Sequence, residues 1–207
     1  EETIATLISI LKDNKHVKVQ SILSHMATSD ALEHRGFSLS QIELFEKLSS
    51  KIISELKINP IRHILNTSGI FNYADKQMEM VRLGIGLYGI GNSGQELQSL
   101  ENVSTLKTII SQIRAVLPEE SIGYSRKFRV SEKIKVATIP VGYADGLNRL
   151  LGNEKSGVYV NGQFAPILGN ICMDMCMIDL SNIHAEEGDK VIIFNTQQHI
   201  KALANAS

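Results

Sequence analysis

Val17 to Ser24 (VKVQSILS), Leu39 to Leu56 (LSQIELFEKLSSKIISEL) and Ile61 to Leu65 (IRHIL) decide the reading of the first half of the chain. The first stretch is apolar and β-branched enough for a buried strand. In the second, Leu39, Ile42, Phe45, Ile52, Ile53 and Leu56 share one helical side, and Ser38 stands where an N-cap is expected. Asn59-Pro60 is expected to stop that helix, because the residue before a proline is pushed out of the helical region. The third stretch reads as a short strand. Strand, helix, strand is the pattern of parallel βα units. Working outward, Thr3 to Leu11 places Ile4, Leu7, Ile8 and Leu11 on one helical face. After a polar connection, Met80 to Tyr88 (MVRLGIGLY) reads as a further strand.

From about residue 103 the period changes to two. Ser104 to Val116, Lys133 to Val141, Gly157 to Val160, Met173 to Leu180 and Lys190 to Phe194 alternate like strands. Pro118-Glu119-Glu120, Asp145-Gly146, Asn161-Gly162 and Glu187-Gly188-Asp189 separate them. Asn161-Gly162, between Tyr159-Val160 and Gln163-Phe164, is a strong hairpin signal because both residues tolerate positive φ. The expected architecture is α/β plus β. Residues 1–100 read as parallel βα units, the last ones of a (β/α)8 barrel if they belong to one, and residues 101–207 as an antiparallel β-domain. Three parallel strands cannot bury both faces alone; if they belong to a (β/α)8 barrel, about five further strands are expected upstream. With Glu1 at the start and a helix entered at once, the chain reads as a piece of something larger.

Composition narrows the function. With 21 Lys+Arg against 22 Asp+Glu, the net charge of -1 argues against nucleic acid as a main partner. No stretch approaches the roughly 20 unbroken apolar residues of a membrane helix, and with no basic n-region and apolar h-region at its start no signal peptide is expected. Two cysteines, Cys172 and Cys176, exclude a disulfide scaffold, and a reducing cytoplasm is the expected compartment. Their three-residue spacing, with no second pair and no nearby histidine, makes a poor zinc site. No metal is expected, and buried thiols are the plain alternative.

In (β/α)8 barrels chemistry gathers at the C-terminal strand ends, with phosphate often held after the last two strands. His25 directly follows the first strand; it is either a hydrogen-bonded strand cap or a functional side chain. Asn66-Thr67-Ser68-Gly69 follows the next strand and offers two hydroxyls and an amide, the donors of a phosphate site or of an ordinary turn. Arg82 lies among Val81, Leu83 and Ile85, where burial without a partner would be costly. It therefore points outward or meets an anion or acceptor. Gly84 and Gly86 permit close backbone approach to a ligand. In the second half, Gly123-Tyr124 and Gly142-Tyr143 repeat a Gly-Tyr pair, with surface or core tyrosines as the plain reading.

Taken together and in order, these stretches resemble alanine racemase, a pyridoxal-phosphate enzyme with an N-terminal (β/α)8 barrel and a C-terminal β-domain. The resemblance rests on residues 24–30 (SHMATSD), 66–69 (NTSG), 81–89 (VRLGIGLYG), 122–124 (IGY), 141–146 (VGYADG) and 169–174 (GNICMD). It implies that Tyr124 is one of two catalytic bases and reaches into the partner subunit of a head-to-tail homodimer. It implies that His25 lines the cofactor and links tyrosine to arginine, and that Arg82 bonds the pyridine nitrogen. Asn66, Thr67, Gly84 and Ile85 fall at the phosphate, Thr67 where the family carries a serine. Tyr143 and Met173 match residues around the substrate carboxylate and the mouth of the site, with Asp174 supporting them. The implied substrate is alanine, and the implied role is D-alanine supply for peptidoglycan in the cytoplasm.

The same resemblance marks departures. The lysine that carries the cofactor and acts as second base has no counterpart in this chain. The arginine for the substrate carboxylate and a late phosphate-binding tyrosine also fall outside it, and Leu83 replaces the usual proline. The 207-residue chain is therefore expected to be inactive alone. Alternatives are a racemase of broader specificity, the racemase half of a cell-wall ligase fusion, a basic amino-acid decarboxylase of the same architecture, and a non-catalytic dimerisation or binding module.

Overall fold

The computed structural model describes residues 2–207. They form two compact units whose boundary lies between Glu101 and Asn102.

The first unit opens with α1 (Glu2–Asp13), followed by strand β1 (Ser21–Leu23), helix α2 (Arg35–Leu56) and strand β2 (Ile61–His63). β1 and β2 pair in parallel, Ser21 opposite Ile61 and Leu23 opposite His63, which is the expected βαβ unit. β1 is shorter than the apolar run suggested, because pairing with β2 covers only three residues. Helix α2 packs Ile42, Phe45 and Ile52 inward, and Ile42 and Phe45 join Met26, Ile64, Leu65 and Tyr73 in one core. Burial of this apolar stripe, at roughly 25 cal/mol per Å², fixes the helix on the sheet.

Both ends of α2 differ from the sequence expectation. The helix begins at Arg35, so Ser38 lies inside its first turn and is buried. Its hydroxyl bonds the Thr28 hydroxyl (2.9 Å) and carbonyl (3.2 Å) and acts as a tether to the loop after β1. At the other end Lys57 turns left-handed (φ 50°) and returns its N–H to Ile53 O, so the helix stops before Asn59-Pro60. After β2 come the short helices α3 (Thr67–Asn72) and α4 (Gly94–Ser99).

Met80 to Tyr88 is not a strand. Met80 N and Arg82 N donate to Arg62 O (3.3 Å) and Leu65 O (2.9 Å), running the chain alongside β2. Gly84 then breaks the extended path (φ -106°, ψ -107°), and Ile85–Tyr88 winds into a single 3-10 turn. Non-local bonds set this turn: the Thr67 hydroxyl accepts from both Gly84 N and Gly86 N.

The second unit is an antiparallel sheet of seven strands. They are β3 (Leu106–Ile109), β4 (Gln112–Val116), β7 (Ile134–Ile139), β8 (Gly157–Val160), β9 (Gln163–Leu168), β10 (Cys176–Asp179) and β11 (Lys190–Phe194). A two-stranded ribbon, β5 (Ser121–Ile122) with β6 (Phe128–Arg129), and a closing helix α5 (Gln197–Ala206) complete it. The sheet order is β3-β11-β8-β9-β10-β7-β4. Its two edge strands are consecutive in the chain, so the sheet is curled. The single run expected over Ser104–Val116 breaks there: Ile110 N donates to Asp189 O and Ser111 N to Thr138 O, each at 2.9 Å, from opposite margins of the sheet. Asn161-Gly162 makes the expected hairpin, with φ of 50° and 79° and Val160 opposite Gln163. Val158, Val160, Ile167, Ile178, Val191 and Ile193 fill the core. Among the described residues no helix is long and apolar enough to cross a membrane.

Candidate active site

The C-terminal ends of β1 and β2 meet at Arg82. Its guanidinium is held among five acceptors. Nη1 donates to His63 Nδ1 (2.6 Å) and His63 O (3.3 Å). Nη2 donates to Ser24 O (2.7 Å), His25 Nδ1 (3.3 Å) and Ile64 O (3.3 Å). The arginine thus takes the acceptor alternative that its apolar neighbours left open. Among the described residues none of these bonds uses the Nε–H, which is left as a donor for an outside acceptor. A guanidinium only donates, so both ring nitrogens facing it accept, and each imidazole carries its proton on Nε2. Burial, reinforced by the Arg82 charge, holds His63 below its ordinary pKa.

The loop carrying His25 is fixed from α2 and α3. Gln41 Nε2 donates to His25 O (2.7 Å), and Gln41 Oε1 accepts from Ala27 N (3.2 Å). Ser29 Oγ donates to Asn66 Oδ1 (2.7 Å), and Asn72 Nδ2 to Ser29 O (2.9 Å). Asn66 caps α3, its side-chain oxygen accepting from Gly69 N at 3.0 Å. Thr67 and Ser68 are buried at the start of this helix.

A cleft of about 310 Å³ opens over these residues, lined by His25, Ser29, Asn66, Thr67, Gly84 and Ile85, among others. It gathers the expected cofactor residues His25, Asn66, Thr67, Gly84 and Ile85; Arg82 does not line it and reaches it through its bond to His25. Asn92 also lines it and donates to Ser68 Oγ (3.4 Å). The lining is rich in hydroxyls and amides, with Asp30 as its carboxylate, and suits a phosphate ester better than a cation. The Thr67 hydroxyl accepts from Gly84 N (3.0 Å) and Gly86 N (3.2 Å), so its own O–H is left to donate elsewhere.

In the second unit Tyr124, Met173 and Asp174 line a separate cleft of about 350 Å³ with Gly123, Cys172 and Met175. Tyr143 is tied to the same segment by its backbone: Tyr143 N donates to Cys172 O and Ala144 N to Met173 O, both at 3.0 Å. Gly142 makes this approach possible, since a Cβ there would overlap the Cys172 and Met173 carbonyls. The Tyr143 ring lies under the Arg149 guanidinium, 6.0 Å from centroid to Cζ, and does not line the Tyr124 cleft. Cys172 and Cys176 are free thiols, and burial with the Cys172 thiol nearby pushes Cys176 up to about 12. At that value it is a packed, unreactive thiol.

Sequence reasoning passed over His63, Gln41 and Asn92. His63 read as the third residue of an ordinary strand, and only its position at the strand end could have singled it out.

Two family models match the chain: the N-terminal domain of alanine racemase over residues 1–92 and the C-terminal domain of alanine racemase over residues 103–207. Alanine racemase 1 of Clostridium acetobutylicum is 35% identical over 210 residues, covering 99% of this chain and 53% of that protein. An alanine racemase of Helicobacter pylori is 35% identical over 206 residues, covering 92% and 54%. Among solved structures, the Clostridium difficile 630 alanine racemase complexed with cycloserine superposes with a TM-score of 0.86 at 29% identity, covering 99% of this chain and 56% of that one. The Bartonella henselae alanine racemase with covalently bound pyridoxal phosphate superposes at 0.82 and 27% identity, covering 100% and 56%. The chain therefore spans about half the length of the relatives it matches.

Proposed function

Because the chain belongs to the alanine racemase family, with part of a (β/α)8 barrel followed by an antiparallel β-domain, we propose that it works in a protein that interconverts L- and D-alanine with pyridoxal 5'-phosphate. It contributes the contacts to the cofactor's ring nitrogen and phosphate, and one of the two bases. The observation that carries this reading is Arg82, held by five acceptors at two strand ends with its Nε–H unused, beside a hydroxyl- and amide-lined cleft.

The donor set fits the cofactor. Asn66, the Thr67 hydroxyl and the Ile85 N–H would hold its phosphate, with Gly84, whose own N–H goes to Thr67, letting the backbone approach, and Arg82 would hold its ring nitrogen. When bound, pyridoxal phosphate supplies an electron sink for the charge left when an amino acid loses its α-proton. Arg82 can donate a hydrogen bond to the ring nitrogen without giving up its proton, because a guanidinium is always charged. That weakens the sink and restrains side reactions such as transamination. His25, accepting from Arg82 through Nδ1, presents Nε2–H as a donor.

Racemisation needs acid–base groups on opposite faces of the α-carbon. Tyr124 serves one face. A lysine serves the other, and the family pattern places none within these residues. In the homodimer, Tyr124 of one subunit completes the site of the other, with Tyr143, Met173 and Asp174 around the substrate. The product D-alanine would serve peptidoglycan synthesis in the cytoplasm.

The test is chiral chromatography of alanine incubated with the cofactor-loaded racemase containing these 207 residues, alongside a panel of other amino acids. Interconversion of alanine ahead of the rest is expected. Absence of α-proton exchange on alanine, or release of carbon dioxide from a basic amino acid, would overturn the proposal.

A further inference from the structure

Tyr124 stands in a strained run of backbone. Gly123, Ser125 and Arg126 all have left-handed φ, at 76°, 64° and 51°. Two of them carry side chains, and such residues persist in that region only where their surroundings hold them. The tyrosine does not hold itself: it is 68% exposed, and its hydroxyl makes no hydrogen bond among the described residues. The direction in which the phenol leaves the chain is therefore set by the backbone that carries it.

That backbone is gripped from the Gly169–Asn170 segment. Asn170 Nδ2 donates to the Tyr124 carbonyl at 3.0 Å, and Asn153 Nδ2 donates to Asn170 Oδ1 at 3.0 Å. The polarity of this relay is fixed by its end. A carbonyl only accepts, so Asn170 must present its amide nitrogen to Tyr124. Its oxygen then faces Asn153, which must donate. Asn153 is anchored in turn, its backbone N–H donating to Gly169 O at 2.8 Å. The main chains of the two segments also touch. A Cβ on Gly123 would lie 3.0 Å from Asn170 N, and one on Gly169 (φ 65°) would lie 2.6 Å from Ile122 O. Arg126 Nε ties the far side of the loop to Ser121 Oγ at 3.0 Å.

We infer that Asn170, oriented by Asn153, is a positioning residue that clamps the Tyr124 backbone and so sets where the phenol stands. Its catalytic consequence rests on the reading of Tyr124 as a base. The clamp itself is independent of that reading.

Asn170→Asp keeps the shape and replaces the donor with an oxygen facing the Tyr124 carbonyl. Asn153→Gly leaves the Asn170 amide free to rotate, and because the position is exposed and its φ of 57° suits glycine it keeps the test standing if the first variant fails to fold. Hydrogen exchange at residues 122–126 is expected to quicken at least about tenfold in both variants, with the amides of β7 to β10 unchanged. In the cofactor-loaded racemase, kcat should fall at least about fivefold with KM for alanine within about twofold. The α-deuterium isotope effect should rise for the one enantiomer whose proton Tyr124 removes, and not for the other. A general loss of structure would not produce that asymmetry. Unchanged exchange at 122–126, or isotope effects that move equally for both enantiomers, would overturn the clamp. An active Tyr124→Phe enzyme would overturn the base assignment instead, and the exchange measurement would still judge the clamp.

Discussion

The Arg82 guanidinium donates to His63 Nδ1 across 2.6 Å, joining the end of β2 to the chain that runs beside it. His63 is buried, and protonating it would put a second charge against the arginine.

This pair makes stability depend on pH. Burial and then Arg82 lower the His63 pKa from 6.5. An unfolded histidine takes up a proton near pH 6.5, while the folded one does so only at lower pH. The linkage sign follows: this contribution is complete above pH 6.5 and is lost as pH falls below it toward the folded value. Urea unfolding should give a lower midpoint at pH 5.5 than at pH 7.5. His63→Asn should flatten that difference, and an unchanged slope in the variant would contradict the assignment.

Thr67 is expected to be sensitive to loss of its oxygen and tolerant of loss of its methyl. Thr67→Val leaves Gly84 N and Gly86 N without their acceptor. The cost should be about 2 kcal/mol by denaturant unfolding, with weakened pyridoxal phosphate binding. Thr67→Ser should stay within about 1 kcal/mol of the parent and keep the cofactor. Equal behaviour of the two variants would show that the hydroxyl bonds are not what shapes the turn.

Gly142 is the position where a single methyl group should do most harm in the second unit. Its Cα side faces the Cys172 and Met173 carbonyls, which are backbone atoms and cannot swing away. Gly142→Ala should destabilise the chain by at least about 2 kcal/mol in thermal or urea unfolding. Gly146 has φ 95° with open space around it, so Gly146→Ala should show only the milder penalty of a left-handed alanine. Indistinguishable stabilities would sink this account of the Tyr143–Met173 contact.

Arg82→Glu should change the reaction's products as well as its rate. A carboxyl group can deliver a proton to a ring nitrogen where a guanidinium cannot. The variant racemase should therefore form pyruvate from alanine by transamination at a rate the parent does not reach. Parent-level pyruvate would contradict the role given to the arginine.

The sequence made some of this architecture legible and hid the rest for physical reasons. The Asn161-Gly162 hairpin was readable because its determinants are adjacent: two residues that accept φ of 50° and 79° between two apolar strands. Helix α2 was readable from a long apolar stripe. The ends of α2 were not, because Ser38 finds its partner ten residues upstream at Thr28. Met80 to Tyr88 has the apolar content of a strand, yet a hydroxyl 17 and 19 residues away draws Gly84 and Gly86 into a turn. Ser104 to Val116 has a continuous strand pattern but serves both edges of a curled sheet, a property of closure that no local period records. His63 and Asn170 were missed alike. Their partners, Arg82 and Tyr124, lie 19 and 46 residues away, and neither residue type is unusual where it stands. The His25, Thr67 and Gly84 group was found because barrel strand ends concentrate chemistry, and the structure places all three around one cleft.

The proposed racemisation turns on Tyr124 serving as one of two bases. It is tested most directly by the racemisation rate of the Tyr124→Phe variant in the cofactor-loaded racemase, with thermal unfolding as the control for folding. The rate is expected to fall at least about 10³-fold, within the range for loss of a general acid–base group, at an unchanged Tm. A Tyr124→Phe enzyme that racemises alanine within about threefold of the parent would contradict it.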